Sequence, residues 1–297
     1  MDNDERPLLK RIIDYPLVTM VVALTVLIGF SGLAGGILEL GYKASGSEPP
    51  KWLSGLLAAA VMLIVYKLII RHLGERPRDD LSGPGSVREL SFGLLIGAVL
   101  FSAIVGIAAL LGVYRITGLG VWAFLGLALI NDGLVPAVGE ELLFRAIIFR
   151  WTEEFAGSWI ALILSAVLFG ASHLWNPSAT WVAAGAIAVE AGLLLGASYM
   201  LTRRLWMPMG IHASWNVTQG EVYDIPVSGN PAHGLVDARL EGPPLLTGAG
   251  FGLEASLIAI VVATLFGCWL LRLAARHGQI MTPSWTRRET KLVHDEL

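Results

Sequence analysis

Three short stretches hold side chains that could do chemistry: "GEELLFR" at 139–145, "FGASHLW" at 169–175 and "GIHASWN" at 210–216. On a helix Glu141 and Arg145 stand four apart and share a face, in the orientation that favours an ion pair. Glu140 points about 100° away and is free to address something else. Phe169 lies one turn before His173 on the same face, and His212 and Asn216 stack in the same i, i+4 relation. The set comprises two carboxylates, two imidazoles and an amide. A carboxylate and an imidazole sharing one water make a nucleophile, and an imidazole with an amide can donate hydrogen bonds to a developing oxyanion. That is the inventory for adding water to an acyl carbon.

Each stretch alone has a plainer reading. The charges of 140–145 could sit at a helix end on the lipid–water boundary, His173 could be a satisfied interfacial histidine, and the polar face of 206–222 could be lined by protein. Their surroundings favour a joint reading. The chain has 297 residues, 55% hydrophobic and only 15% charged, with a mean hydropathy of +0.65. Soluble domains carry about 25% charged residues, so this composition is that of a polytopic membrane protein. Ionisable groups within membrane helices are costly and face a bundle interior or a wet cavity. Three such sets on separate spans find their nearest partners in one another around trapped water. The net charge of −3 and the lack of a basic block give no sign of a nucleic-acid partner. The single cysteine, Cys268, excludes intrachain disulfides and thiolate zinc sites.

The elements that must position these residues are membrane helices of roughly 20 apolar residues each. Hydropathy marks spans at about 16–40, 52–70, 91–114, 119–143, 158–174, 179–201 and 252–271, with the polar segment 206–222 undecided between crossing and not. Basic residues collect on the cytoplasmic side. With eight spans and the N-terminus inside, 17 of the 21 Lys and Arg fall there, leaving only Lys43, Lys51, Arg115 and Arg239 outside. Seven spans would strand the basic tail after residue 271 outside. The expectation is therefore an all-α protein of about eight transmembrane helices, both termini cytoplasmic. Three N-terminal spans fill 1–118, with a charged cytoplasmic connection at 72–90. A membrane core follows over 119–275, with a Gly/Pro-rich outer loop at 223–250, and then a cytoplasmic tail over 276–297. No cleavable signal peptide opens the chain, and the final "HDEL" reads as coincidence, since an inside terminus cannot show it to a lumenal receptor.

The three motifs resemble those of the CPBP (Abi) family, membrane peptidases related to the type II prenyl-protein (CAAX) endopeptidase, which carry EExxxR, FxxxH and HxxxN. Here they read Glu140-Glu141-x-x-x-Arg145, Phe169-x-x-x-His173 and His212-x-x-x-Asn216, matching at every defining position. The likeness runs from about 119 to 271, and its outer loop resembles bacterial members, which implies a bacterial cell membrane. The resemblance implies intramembrane hydrolysis of peptide bonds in membrane-associated proteins or peptides, with access from the cytoplasmic side. By it Glu140 is the general base, His173 orients the same water, His212 and Asn216 bind the oxyanion, and Arg145 holds Glu141. No HExxH is present, so metal-free water activation is favoured. Zinc or another divalent metal on a glutamate and two histidines is the alternative. A non-proteolytic scaffold that binds peptides or lipids would use the same cavity without cutting. A proton-coupled transporter would show internal repeats that are not seen here.

Other polar residues have smaller readings. Asn131 and Asp132 mark a helix break before Pro136. Glu190, inside a span, could line the cavity or make a structural hydrogen bond. Lys67 can snorkel to the cytoplasmic face. One difficulty stands: His173 comes late in its helix and His212 early in one that starts on the opposite side. At about 1.5 Å per residue, end-counting puts them about 10 Å apart in depth.

Overall fold

The computed structural model describes residues 7–74, 78–120 and 125–287. The terminal HDEL, residues 121–124 of the fourth expected span, and the basic residues Arg6, Arg76, Arg288 and Lys291 lie outside the described residues.

The chain is a bundle of helices. A short α1 (Leu8–Ile13) leads into α2 (Pro16–Ala44), which Pro16 opens at the position where a missing N–H costs nothing. Next come α3 (Lys51–His72) and α4 (Ser86–Leu110). A long helix α5 (125–156) alternates α-helical stretches with two wider π-helical ones, Leu129–Leu134 and Leu142–Phe149. Helix α6 (Ser158–Ser172) ends in a tight turn, His173–Trp175. Helix α7 (Trp181–Thr202) is capped by Thr180 and carries a π stretch at Ala188–Gly192. Helix α8 (206–222) ends in a π stretch at Thr218–Val222, and α9 (Leu257–Arg276) is capped by Ser256.

Six of these helices, α2, α3, α4, α6 with its final turn, α7 and α9, are long and apolar enough to cross a membrane among the described residues. Many of their outward side chains, such as Leu33, Leu95, Ile163 and Leu265, are exposed, as lipid-facing residues must be. The chain is an integral membrane protein. The two expected spans missing from the six are 119–143 and 206–222. They are α5 and α8, the helices whose inner faces are polar.

The all-α membrane architecture holds, with one small sheet added to it. Tyr114–Leu119 and Val236–Leu240 pair as an antiparallel two-stranded sheet, β1 and β2, with Tyr114 opposite Leu240. The expected third span ran to 114 and the fourth began at 119. The helix in fact stops at Leu110, and "YRITGL", rich in β-branched and aromatic residues, finds a partner strand in the long loop. A hydropathy window cannot separate such a strand from a helix end.

Opposite ends of the bundle are tied down differently. The 223–250 loop joins β1 at one end. At the other, the connection between α3 and α4 folds onto the bundle through fully buried Asp80. Asp80 accepts from Arg78 at 2.6 Å and from the Tyr199 hydroxyl at 2.8 Å, while the Arg150 guanidinium donates to the Arg78 carbonyl at 2.6 Å. Lys67 pairs with Asp79 there. Between the ends, α4 and α8 touch backbone to backbone. A Cβ on Gly97 would lie 2.3 Å from the Ile211 carbonyl oxygen, and one on Gly210 would lie 2.6 Å from that of Leu90. Small residues allow that approach, and it presses α8, with His212, into the bundle centre.

Candidate active site

Glu140 and Glu141 end the α-helical stretch Val135–Glu141, and Arg145 lies in the π stretch that follows. Pro136 does not break the helix, because the π turn before it absorbs the missing N–H donor. Arg145 and Glu141 are both fully buried and paired at 3.0 Å. The guanidinium also reaches the carbonyls of Ala191 and Gly192 at 3.4 and 3.5 Å, at the π stretch of α7 where carbonyls leave their regular ladder. Glu141 has a second partner that the motif spacing does not reveal: the His212 Nδ1 lies 2.9 Å from its Oε1.

That contact orients the imidazole. A carboxylate held by Arg145 accepts, so Nδ1 carries the proton and Nε2 turns to the other side. There Nε2 stands 3.9 Å from Oε2 of Glu140. The gap is too long for a hydrogen bond and suits a water touching both atoms. The Glu140 side chain is 31% exposed, so it reaches the cavity, while Glu141 does not.

His173 begins the tight turn that ends α6, and its Nδ1 is 2.8 Å from the Phe169 carbonyl oxygen. A carbonyl only accepts, so the proton is again on Nδ1 and Nε2 is left for the cavity. The depth difficulty disappears at Phe169. Its ring centroid is 4.9 Å from that of His173 and 6.0 Å from that of His212. Phe144 meets the same ring edge-on at 5.1 Å, and the Arg145 guanidinium lies 4.5 Å from its centroid. The phenylalanine of the second motif is thus the hub against which members of all three motifs rest.

Asn216 lies at the cavity wall but donates its Nδ2 to the Asp132 carbonyl at 3.0 Å, strapping α8 to the first π stretch of α5. Glu140, His173, His212 and Asn216 all border one cavity of about 240 Å³. Asp132 and Glu221 add further charge to its wall, and the turn 227–232 covers it. The cover is pinned by Gly229 N–H on the Phe251 carbonyl at 2.7 Å and by Ser228 N–H on Glu254 at 2.6 Å. The cavity therefore abuts the 223–250 loop, at the end away from the 72–90 connection. Asp132, Arg145, Glu190 and Glu221 each lie in a π stretch, where the widened helix re-aims a side chain. Among the described residues no three of His, Cys, Asp and Glu stand close enough together to hold a metal ion. A second groove, of about 410 Å³ between α2 and α3, is wholly apolar and remote from these groups.

Sequence reasoning missed Glu254, Ser228 and the bond from His212 to Glu141. The only cue to Glu254 was a lone acid heading an apolar run. No curated protein and no solved structure matches the chain. Residues 121–218 do match the model of the type II CAAX prenyl endopeptidase Rce1-like family. That match covers about a third of the chain and spans all three motifs, so over this stretch the protein is similar to the CAAX protease (CPBP) family.

Proposed function

We propose that the protein is an intramembrane endopeptidase that hydrolyses peptide bonds in membrane-associated proteins or peptides. The observation that carries this reading is the convergence of Glu140, His212 and His173 on one polar cavity. Glu140 is the general base. It takes a proton from a water lying between its Oε2 and the imidazole nitrogens, and the hydroxide adds to the scissile carbonyl. His212, its Nδ1–H fixed by Glu141, binds the oxyanion through Nε2 when that nitrogen is also protonated, and the free N–H of Asn216 assists. Glu140 then returns the proton to the departing amine. His173 orients the water, and Arg145 holds Glu141 in place against His212.

In this reading the water is activated without a metal. Helices α5 and α8 complete eight crossings, with both termini cytoplasmic. In that orientation the cavity's place under the 223–250 loop supports access from the outer side, in contrast to the cytoplasmic access implied by the resemblance. Prenylated CAAX proteins need not be the substrates.

The test is cleavage of a fluorogenic membrane-peptide library by purified wild type, Glu140→Ala and His173→Ala, with melting temperatures alongside. The expected result is cleavage by the wild type and a loss of at least a hundredfold in both variants with melting unchanged. No cleavage by any of them would favour a peptide- or lipid-binding scaffold.

A further inference from the structure

Behind the two histidines lies a smaller chamber of about 30 Å³, room for one or two waters. Its walls include Phe169, His173, His212 and Asn216 on the catalytic side, and Glu190, Glu254 and Ser228 on the other. Glu190 and Glu254 are 1% and 3% exposed. Neither oxygen of Glu190 has a hydrogen-bond partner among the described residues. Glu254 differs: its Oε1 accepts the Ser228 N–H at 2.6 Å.

The proposed chemistry uses neither acid, yet two buried carboxylates facing one chamber cannot both stay charged without a cation. Arg145, on α5, is engaged with Glu141 and with the carbonyls of Ala191 and Gly192. From α6 the chamber receives His173, and from α8 it receives His212 and Asn216. Gln219, also on α8, gives its amide to the Pro226 carbonyl. Glu140 and Glu141 lie on the far side of His212. Among the described residues, the histidines are thus the only ionisable groups besides the acids on the chamber wall.

We propose that Glu190 and Glu254 form an internal acid pair that holds one proton, joined through chamber water, and whose single negative charge adds to those of Glu140 and Glu141 in keeping His212 doubly protonated for oxyanion binding. The proton sits on Glu190, which has no donor to stabilise its charge. Glu254, served by the Ser228 N–H, carries the charge. Glu254 is a positioning residue that acts through His212, Glu190 holds the pair's proton, and no bond to carbon forms or breaks in the chamber. The role assigned to His212 rests on the peptidase reading; the protonation of the pair does not.

Glu190→Gln, Glu254→Gln and Glu254→Asp separate the possibilities. In Glu254→Gln the remaining Glu190 stays neutral and the chamber's own negative charge is lost, leaving His212 only Glu140 and Glu141. The alkaline limb of the kcat–pH profile, and the His212 nitrogen titration followed by NMR, should both move down by about one pH unit. Glu254→Asp should restore both. In Glu190→Gln the charge persists on Glu254, so the limb should hold. The infrared band of a protonated carboxyl, present in the wild type at neutral pH, should vanish.

Equal limb shifts in both Gln variants, no shift in either, or a carboxyl band surviving Glu190→Gln would each overturn the proposal. If the wild type cleaves nothing, the peptidase reading fails by itself. The infrared band and the NMR titration still decide whether the acid pair exists.

Discussion

Gly97→Ala offers the sharpest test of how the site is held. A methyl there would sit 2.2 Å from the Ser214 Oγ and 2.3 Å from the Ile211 carbonyl oxygen, whereas ordinary contact begins near 3.4 Å. The serine can rotate away, but the carbonyl is backbone, so α4 and α8 must part by about 1 Å at this level. Ile211 directly precedes His212, and His212 holds Glu141 at 2.9 Å. A retreat of that size stretches the bond beyond hydrogen-bonding range and moves Nε2 from its place beside Glu140. Overpacking of this kind costs about 1–3 kcal/mol, and a displacement of ~1 Å at a catalytic group costs about a hundredfold in rate. The assay is kcat on a cleavable membrane peptide together with detergent-solubilised melting. Gly106→Ala on the same helix is the control. No atom lies within 4 Å of its added methyl, so it should keep full activity and gain up to about 1 kcal/mol in stability. A Gly97→Ala protein with wild-type rate and melting would refute the claim that backbone contact with α4 sets the position of His212.

Three further outcomes are expected. Arg145→Met should destabilise the fold by about 3–5 kcal/mol in a denaturant titration, because it leaves the fully buried Glu141 carboxylate without its cation. Arg145→Lys should recover only part, since a lysine cannot also span the carbonyls of Ala191 and Gly192 and lie over Phe169. Exhaustive chelation should leave cleavage unchanged. Loss of activity in step with a stoichiometric metal, restored on adding it back, would refute metal-free activation.

Much of the site was legible in one dimension because charge in an apolar chain is conspicuous. Glu140, Glu141, Arg145, His173, His212 and Asn216 stand out against their neighbours, and helical spacing alone pairs Glu141 with Arg145, as the structure does at 3.0 Å. Hydropathy likewise marks the lipid-facing helices, since each must be apolar along its whole length. Glu190 was visible as an acid inside a span.

What the sequence could not determine is which faces meet and at what depth. Spacing relates residues on one helix. It carries nothing about the offset between helices, which depends on close contacts such as Gly97 against Ile211. Phe169 abolishes the depth difference between His173 and His212 by lying against both, and only the assembled bundle puts it there. The π stretches that re-aim Arg145 and Glu190, the pairing of β1 with β2, and the Ser228 N–H on Glu254 likewise depend on contacts between distant segments. Residue type and local period settled which groups had to be buried. Their partners were chosen by helix packing, because a buried charge binds whatever the neighbouring helix presents at its level.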